Sequence, residues 1–269
     1  MKFSVLMSLY PKEQPKFLQE CLLSLSNQTL QADEIVLVYD GEIDIELQKI
    51  VDKFLIKLPL KIIQLPNNVG LGKALNAGLE YCQFEWVFRM DTDDICVPER
   101  FASQINFIKK HPNVDVVGGQ IIEFEQDFSQ GKKSRTVPTS HEQIVKYAKT
   151  RNPINHMTVA FKKSAVQAVG SYQHAPLYED YDLWVRLLSK NYQFTNLPQA
   201  LVYARAGQAM YERRGGVRYV KNEVQMQVRF WRWGFLSAWQ LAKNLVIRIP
   251  VRLLPNGLRS LIYQKLLRK

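Results

Sequence analysis

Between Arg89 and Arg100 the chain reads RMDTDDICVPER, which gathers three carboxylates, Asp91, Asp93 and Asp94, into four positions. Like charges at that spacing repel one another unless a cation is shared among them. Mg2+ or Mn2+ suits such a set, because a hard ion takes one or two carboxylates and completes its shell with phosphate oxygens and water. A helix cap ahead of Pro98, or a solvated turn, would use the same residues without any ion. Two other stretches could meet this cluster. NNVGLGKALNAG, residues 67–78, sets Asn67, Asn68, Gly70 and Gly72 between a strand end and a helix start, with Lys73 beside them. A loop of that kind lets backbone N–H groups approach a phosphate or a base, although it is also an ordinary strand-to-helix turn. It matches neither GxGxxG nor the P-loop pattern, which leaves dinucleotide and ATP readings without support. LYEDYDLWVRL, residues 177–187, opens a helix with Glu179, Asp180 and Asp182. The macrodipole alone favours acids there, and a carboxylate facing a cleft could also take a proton from a hydroxyl.

Alternating periodicities must position these groups. FSVLMSL (3–9), EIVLVYD (34–40), LKIIQL (60–65) and EWVFRMD (85–91) read as strands, and helical spacing falls at 15–27, 44–56, 72–82 and 98–110. Strand and helix alternating with short connections predict a mostly parallel, Rossmann-like sheet flanked by helices. Ligands of such sheets sit beyond the carboxyl ends of the strands, where Asp40 and Asp91 lie. Further on, VDVVGGQIIEF (114–124) predicts a longer strand bent at Gly118–Gly119. A polar excursion follows, then a strand at HMTVAF (156–161) and a helix at YDLWVRLLSK (181–190).

A chain of 269 residues with 46% hydrophobic content can bury a substantial core. Cys21, Cys82 and Cys96 fit neither a zinc spacing nor a disulfide framework, which favours a reducing compartment. The N-terminal MKFSVLMSLYPKE reads as a first strand rather than a signal peptide, and no apolar run is long enough to predict a spanning helix. The net charge of +11 is uneven: from Arg205 onward 14 Lys and Arg face 2 Asp and Glu, while the residues before it carry 22 and 23. Basicity confined to the tail argues against a nucleic-acid partner for the whole chain. In that tail, positions 235, 239, 242, 246 and 249 form an apolar stripe, with Lys243, Asn244 and Arg248 elsewhere; Leu254, Leu258, Leu261 and Ile262 follow after Pro250 and Pro255. Amphipathic helices with a cationic rim suit an anionic membrane surface; a helical pair packed on the core or on a sister subunit is the alternative.

FSVLMSLY, IVLVYDG, NVGLGKALNAGL, RMDTDDICVPERF, INHMTVAFKKSAVQAVGSY and YEDYDLWVRL, in this order, resemble family 2 of the glycosyltransferases, in the branch that builds bacterial capsule, exopolysaccharide or O-antigen. The resemblance spans roughly residues 1–205. It implies a GT-A fold over 1–204, with 205–269 as a basic amphipathic helical extension. It implies an inverting, metal-dependent enzyme that moves a sugar from a nucleotide sugar, UDP most commonly, to a saccharide or polyprenyl-linked acceptor. Asp180 would be the catalytic base. Leu9, Tyr10, Asp40, Asn68, Gly70, Lys73 and Asp91 would bind the donor, with Lys73 standing in for an Arg that many members carry where this chain has Leu75. Asp93 and Asp91 would hold Mg2+ or Mn2+, and Asp94, His156, Glu179 and Trp184 would support the site. Trp184 would serve by packing or as an aromatic face for a sugar. The expected place of work is the cytoplasmic face of the plasma membrane, peripherally bound. A nucleotidyltransferase would also set carboxylates and a Gly-rich loop on an α/β sheet, but LMSLYPKEQPK lacks its basic Gly-rich signature. A non-catalytic scaffold holding partners at a membrane is the third reading.

Overall fold

The computed structural model describes residues 1–125, 127–130, 133–206 and 215–254. Its centre is a mixed sheet in the order β3-β2-β1-β4-β8-β6-β9-β5, with β7 paired to β6. The first four strands are parallel: β1 (Phe3–Leu9), β2 (Glu34–Tyr39), β3 (Leu60–Gln64) and β4 (Trp86–Arg89). β1 runs in register with β2 from Ser4↔Glu34 to Leu9↔Tyr39, and with β4 from Phe3↔Trp86 to Leu6↔Arg89. It is covered on both faces, which is why FSVLMSL is nearly continuous in apolar residues rather than alternating.

Each face has its own core. On one, Phe3, Val5, Met7 and Leu9 meet helices α1 (Pro15–Ser26), α2 (Ile45–Phe54) and α4 (Arg100–Lys110). On the other, Leu6, Val36 and Val38 meet α3 (Leu71–Tyr81). Gly78 of α3 lies so close to the sheet that an added Cβ would fall 2.5 Å from Leu6 Cδ1 and 2.6 Å from Val38 Cγ2. That approach carries the glycine-asparagine loop at the start of α3 to the ends of β1 and β2.

The second half of the sheet is not parallel throughout. β8 (Ala160–Lys162) runs antiparallel to both β4 and β6 (Val116–Phe124), while β6 runs parallel to β9 (Phe194–Arg205). The two-residue β5 (Ile95–Cys96) and β7 (Lys133–Arg135) complete it as antiparallel edges. The predicted bend in β6 is a register shift after Gly119, whose Cα lies against the Leu201 side chain with no room for a Cβ. The expected strand at 156–161 is divided into a turn of 3₁₀ helix, His156–Thr158, and the shorter β8. The polar excursion contains α5 (His141–Ala148), N-capped by Ser140. Sequence periodicity missed β9, because Pro198 interrupts it and its partner β6 lies about eighty positions earlier.

α6 (Lys163–Ala168) and α7 (Glu179–Ser189) follow on the second face, and α8 (Val217–Arg232) and α9 (Ala238–Leu253) pack behind them. α9 runs through Pro250 instead of ending there; in the last turn a proline forfeits little helix beyond it. Tyr219, Met226 and Phe230 of α8 join the core that α7 lines. The helices are also tied by charge. Glu223 of α8 is fully buried and holds Arg248 and Arg252 of α9, while accepting the Tyr178 hydroxyl at 2.7 Å. Asp182 of α7, also fully buried, pairs with Arg186 at 2.9 Å and Arg229 at 2.8 Å. Asn244 donates to the Lys149 carbonyl at 2.8 Å. As a result α9 turns Asn244, Arg248 and Arg252 toward the protein and leaves Trp239, Val246, Ile247 and Leu253 more than half exposed. Leu258, Leu261 and Ile262 lie outside the described residues.

Glu223→Ala removes a buried anion from between two guanidinium groups. It is expected to lower stability by about 3–5 kcal/mol, read as a fall in Tm, and to hasten proteolytic cleavage within α8 and α9.

Candidate active site

The site forms where β1, β2 and β4 end. β4 finishes in Arg89, a charged residue on a strand buried on both faces and itself 2% exposed. Such a guanidinium requires a partner, and it has one: both terminal nitrogens of Arg89 donate to the two carboxylate oxygens of Asp91, a bidentate pair. Burial works against the charge on Arg89 and Asp91 restores it. The Arg89 Nε is buried and has no hydrogen-bond partner among the described residues.

After Asp91 the chain turns through Thr92, Asp93 and Asp94 into β5. Carboxylate oxygens of Asp91, Asp93 and Asp94 all lie within 4.8 Å of one another. Backbone and side chains beneath hold this turn in shape. Thr92 Oγ1 donates to the buried Glu13 at 2.7 Å, Cys21 Sγ to the Asp91 carbonyl at 3.2 Å, and the Arg205 N–H to Asp94 at 2.7 Å. Arg205 Nε also donates to the Asp93 carbonyl at 3.1 Å, with its guanidinium 3.7 Å from the Phe17 ring centroid. Crowding raises the carboxyl pKa values. Burial, then Asp91 and Glu13, push Asp93 up to about 7; burial, then Asp93 and Asp91, push Asp94 well above the carboxylate range. Hard oxygen donors this close, and this short of positive charge, fit a single Mg2+ or Mn2+.

Asp40 ends β2 and is 2% exposed. Its carboxylate accepts the Val69 N–H at 2.7 Å and the Gly70 N–H at 3.1 Å, and its carbonyl accepts Asn68 Nδ2 at 3.2 Å. Asp40 thus clamps the glycine-asparagine loop, in addition to whatever ligand its remaining lone pairs receive. Gly41, at φ 101°, lies 2.9 Å from the Asn68 nitrogen when a Cβ is placed on it, so a side chain would push the loop away. Leu9 is fully buried and offers only its carbonyl, which accepts the Asp40 N–H at 2.8 Å; Tyr10 is 43% exposed at the rim. Lys73 is exposed on the first turn of α3, and Leu75, where the family's Arg was expected, is buried in the core.

The loop leads to the other carboxylates. A Cβ on Gly72 would fall 3.2 Å from Glu179 Cγ, so the start of α3 abuts the start of α7. Asp180 is half-buried; Asn152 Nδ2 donates to one of its oxygens at 2.6 Å and the Tyr181 N–H to the other at 2.7 Å. Burial raises the pKa of Asp180, and these two bonds and the charges of Arg135 and Arg89 oppose the rise. Burial likewise raises Glu179. His156 meets the Tyr172 hydroxyl at 2.8 Å, and burial with the nearby Arg89 holds the imidazole neutral. Tyr172 is fixed in turn by Asn76 of α3, which accepts its N–H at 2.8 Å and donates to its carbonyl at 2.6 Å. Trp184 is fully buried against His156 and Phe194; its role is packing, and it presents no face to a sugar.

The charge of Arg89 therefore reaches Asp93, Asp94, Asp180 and His156, which places the acid cluster and the α7 carboxylates in one region. Sequence reasoning quoted Arg89 without assigning it a part. A charge at the end of an apolar strand is the signal that could have found it. Asn152 and Tyr172 carried no comparable signal, since only the tertiary fold brings them to Asp180 and His156.

Known proteins share this sequence and architecture. The family model described as Glycosyl transferase family 2 matches residues 4–168. The amylovoran biosynthesis glycosyltransferase AmsE of Erwinia amylovora is 45% identical, over 98% of each chain. The UDP-Gal:alpha-D-GlcNAc-diphosphoundecaprenol beta-1,3-galactosyltransferase of Escherichia coli is 40% identical, over all of this chain and 97% of its own. Among solved structures, S. aureus TarS 1-349 in complex with UDP-GlcNAc superposes with a TM-score of 0.68 at 25% identity, over 91% of this chain and 72% of TarS 1-349.

The crowding of Asp93 has a measurable consequence. Its pKa in the folded, metal-free protein, about 7, lies above the unfolded value of 3.8, so folding takes up a proton between those values. Stability gained at low pH is then lost as pH rises through about 7, by at most about 1.4 kcal/mol per pH unit. With EDTA present, denaturation midpoints at pH 5 and pH 8 are expected to differ more in the wild type than in Asp93→Asn.

Proposed function

The chain belongs to glycosyltransferase family 2, and on that footing we propose that it transfers a sugar, with inversion, from a UDP-sugar to a polyprenyl-diphosphate-linked saccharide. As a GT-A glycosyltransferase it uses a nucleotide-sugar donor in polysaccharide synthesis; membership also sets aside the nucleotidyltransferase and scaffold readings. The observation that carries the finer reading is the convergence of Asp91, Asp93 and Asp94 with Asp180 around Arg89. UDP is favoured over other nucleotides because the E. coli relative's name specifies UDP-Gal and TarS was solved with UDP-GlcNAc.

Each residue has a distinct task in this reading. Asp40 holds the loop of Asn68 and Gly70 against the nucleoside, Tyr10 borders the base, and Lys73 adds a positive charge on the diphosphate side. Asp91, oriented by Arg89, meets the ribose and with Asp93 would hold the cation, while Asp94 supports the turn. A bound Mg2+ or Mn2+ would supply Lewis-acid stabilisation of the departing nucleoside diphosphate. Asp180 takes the proton of the acceptor hydroxyl as that oxygen attacks the anomeric carbon from the face opposite the leaving group. Asn152 and the Tyr181 N–H fix the orientation of Asp180, so attack geometry is set before the acceptor arrives. The neutral His156, with Tyr172, lines the space between the two sets of carboxylates without adding charge to it.

The outward apolar face of α9 favours a peripheral position at the inner leaflet. Trp239 is 76% exposed, Val246 73% and Ile247 57%, beside Trp231, Trp233 and the exposed Lys243. Exposed aromatic and aliphatic side chains interleaved with cations suit an anionic interface. Among the described residues no helix is long and apolar enough to cross a membrane.

Two outcomes are expected. Asp180→Asn lowers kcat by roughly 10²- to 10⁴-fold while the thermal shift produced by UDP and Mn2+ stays as in the wild type; Asp93→Ala and EDTA abolish that shift. Trp239→Glu combined with Ile247→Glu releases the protein from phosphatidylglycerol vesicles in a sedimentation assay. Turnover that survives Asp180→Asn would remove the base assignment, and unchanged sedimentation would remove the membrane one.

A further inference from the structure

A cleft of about 290 Å³ lies apart from the carboxylates, between the segment leading into α7 and one side of α8. Arg218, Lys221 and Arg229 line it, and its described lining includes no carboxylate. On α8 these three positions share one stripe with Asn222 and Gln225, next to the buried stripe of Tyr219, Met226 and Phe230, whose Met226 also borders the cleft. Arg229 is pre-oriented: it donates to Asp182 at 2.8 Å, and its terminal nitrogens approach the His174 carbonyl at 3.5 and 3.4 Å. Arg218 and Lys221 are exposed and form no ion pair among the described residues. In α9, by contrast, Arg248 and Arg252 are both matched to the buried Glu223. Here three cations stand together with one acid among them, and that acid, Asp182, is fully buried behind Arg229.

The position of the cleft narrows what it takes. Tyr178 forms one wall and immediately precedes Glu179 and Asp180 in the chain. Leu177, beside it, holds a left-handed backbone at φ 72° and projects outward, 53% exposed; a non-glycine residue there is strained and marks a segment held for a purpose. Trp233, on the outward side, has its ring centroid 5.9 Å from the Arg229 guanidinium. A ligand anchored here would meet the cations in the middle, with Trp233 at the end of α8 on one side and the segment leading into α7 on the other. A lipid-linked sugar has that sequence of parts: chain, diphosphate, saccharide.

We propose that Arg218, Lys221 and Arg229 form the subsite for the diphosphate of the lipid-linked acceptor. The assignment rests on the glycosyl-transfer reading above for the identity of the ligand, but on the cleft itself for the charge recognised. Two mobile cations close on the diphosphate oxygens while Arg229 stays fixed by Asp182, so that the sugar hydroxyl is presented to Asp180 at a set distance from the anchor. An anionic phospholipid headgroup would offer similar oxygens, and the test separates the two sources.

The probe is farnesyl diphosphate, titrated calorimetrically into the full chain saturated with UDP and Mn2+, which keeps the donor site filled. The wild type is expected to bind one molecule, and Arg218→Glu/Lys221→Glu to bind it at least roughly tenfold more weakly, the loss of one charge-assisted contact or more. UDP affinity, Tm and the weak uptake of neutral farnesol should not change between them. Arg218→Gln/Lys221→Gln, which keeps shape and polarity, should give an intermediate loss. Equal affinity in wild type and variants overturns the proposal, as does absence of binding to the UDP-loaded wild type. So does a double variant that loses only phosphatidylglycerol vesicles, which would assign the cleft to headgroups. A chain that neither takes up UDP nor hydrolyses a UDP-sugar would instead refute the transferase reading, and the same titration without UDP would still decide whether this cleft recognises a diphosphate.

Discussion

One buried ion pair organises the active-site region. Arg89 ends the fourth parallel strand inside the protein, where an uncompensated guanidinium would be untenable, and Asp91 supplies the compensation through two parallel hydrogen bonds. Beyond the pair the chain leaves the sheet and turns through the next three residues, a turn held by Glu13, Cys21 and Arg205. That turn is what brings Asp93 and Asp94 against Asp91. Burial keeps His156 neutral and raises the carboxyl of Asp180; the same guanidinium adds to the first effect and, after Asn152, the Tyr181 N–H and Arg135, opposes the second. A strand end, an acid cluster and Asp180 are thus linked through one guanidinium, in a region rich in carboxylates.

Backbone geometry does the corresponding work at the end of β2. Asp40 spends both carboxylate oxygens on the amides of Val69 and Gly70, and Gly41 lets the loop lie close enough for that to happen. The close contact of Gly78 with β1 and β2 then holds α3, and with it the loop, in a fixed relation to Asp40. α3 in turn touches Glu179 through Gly72 and Tyr172 through Asn76. Contact therefore runs without a break from the end of β2 to the helix that carries Asp180, and rigid packing along it favours pre-set geometry over rearrangement on binding.

The last helix, α9, has its polar and apolar sides reversed relative to a helix that simply covers a core. Arg248, Arg252 and Asn244 face inward because Glu223 and the Lys149 carbonyl are there to receive them, and Trp239, Val246 and Ile247 are left outside. Net positive charge alone would not have shown this arrangement. It follows from one buried glutamate, the sole acid in either helix, being worth two arginines.

Much of the framework was legible from residue order. The period-2 and period-3.6 segments of the first 110 residues correspond to the strands and helices observed, within one or two positions at most ends, because each buries an apolar face that local spacing reveals. Family membership was legible too, since RMDTDDICVPERF and YEDYDLWVRL carry their chemistry in short runs. The antiparallel β8, the twelve-residue β9 and the pairing of Arg89 were not, because each is decided by a partner far away in the chain. Trp184 shows the limit from the other side: its place in an acidic motif left packing and a sugar-facing ring both open, and the tertiary structure buried it completely. By itself, then, the sequence determined which residues could do chemistry and which elements bear them. Tertiary structure alone decided which charges face one another, because the energy of a charge depends on its burial and its neighbours, and neither is a property of a residue's position in the chain.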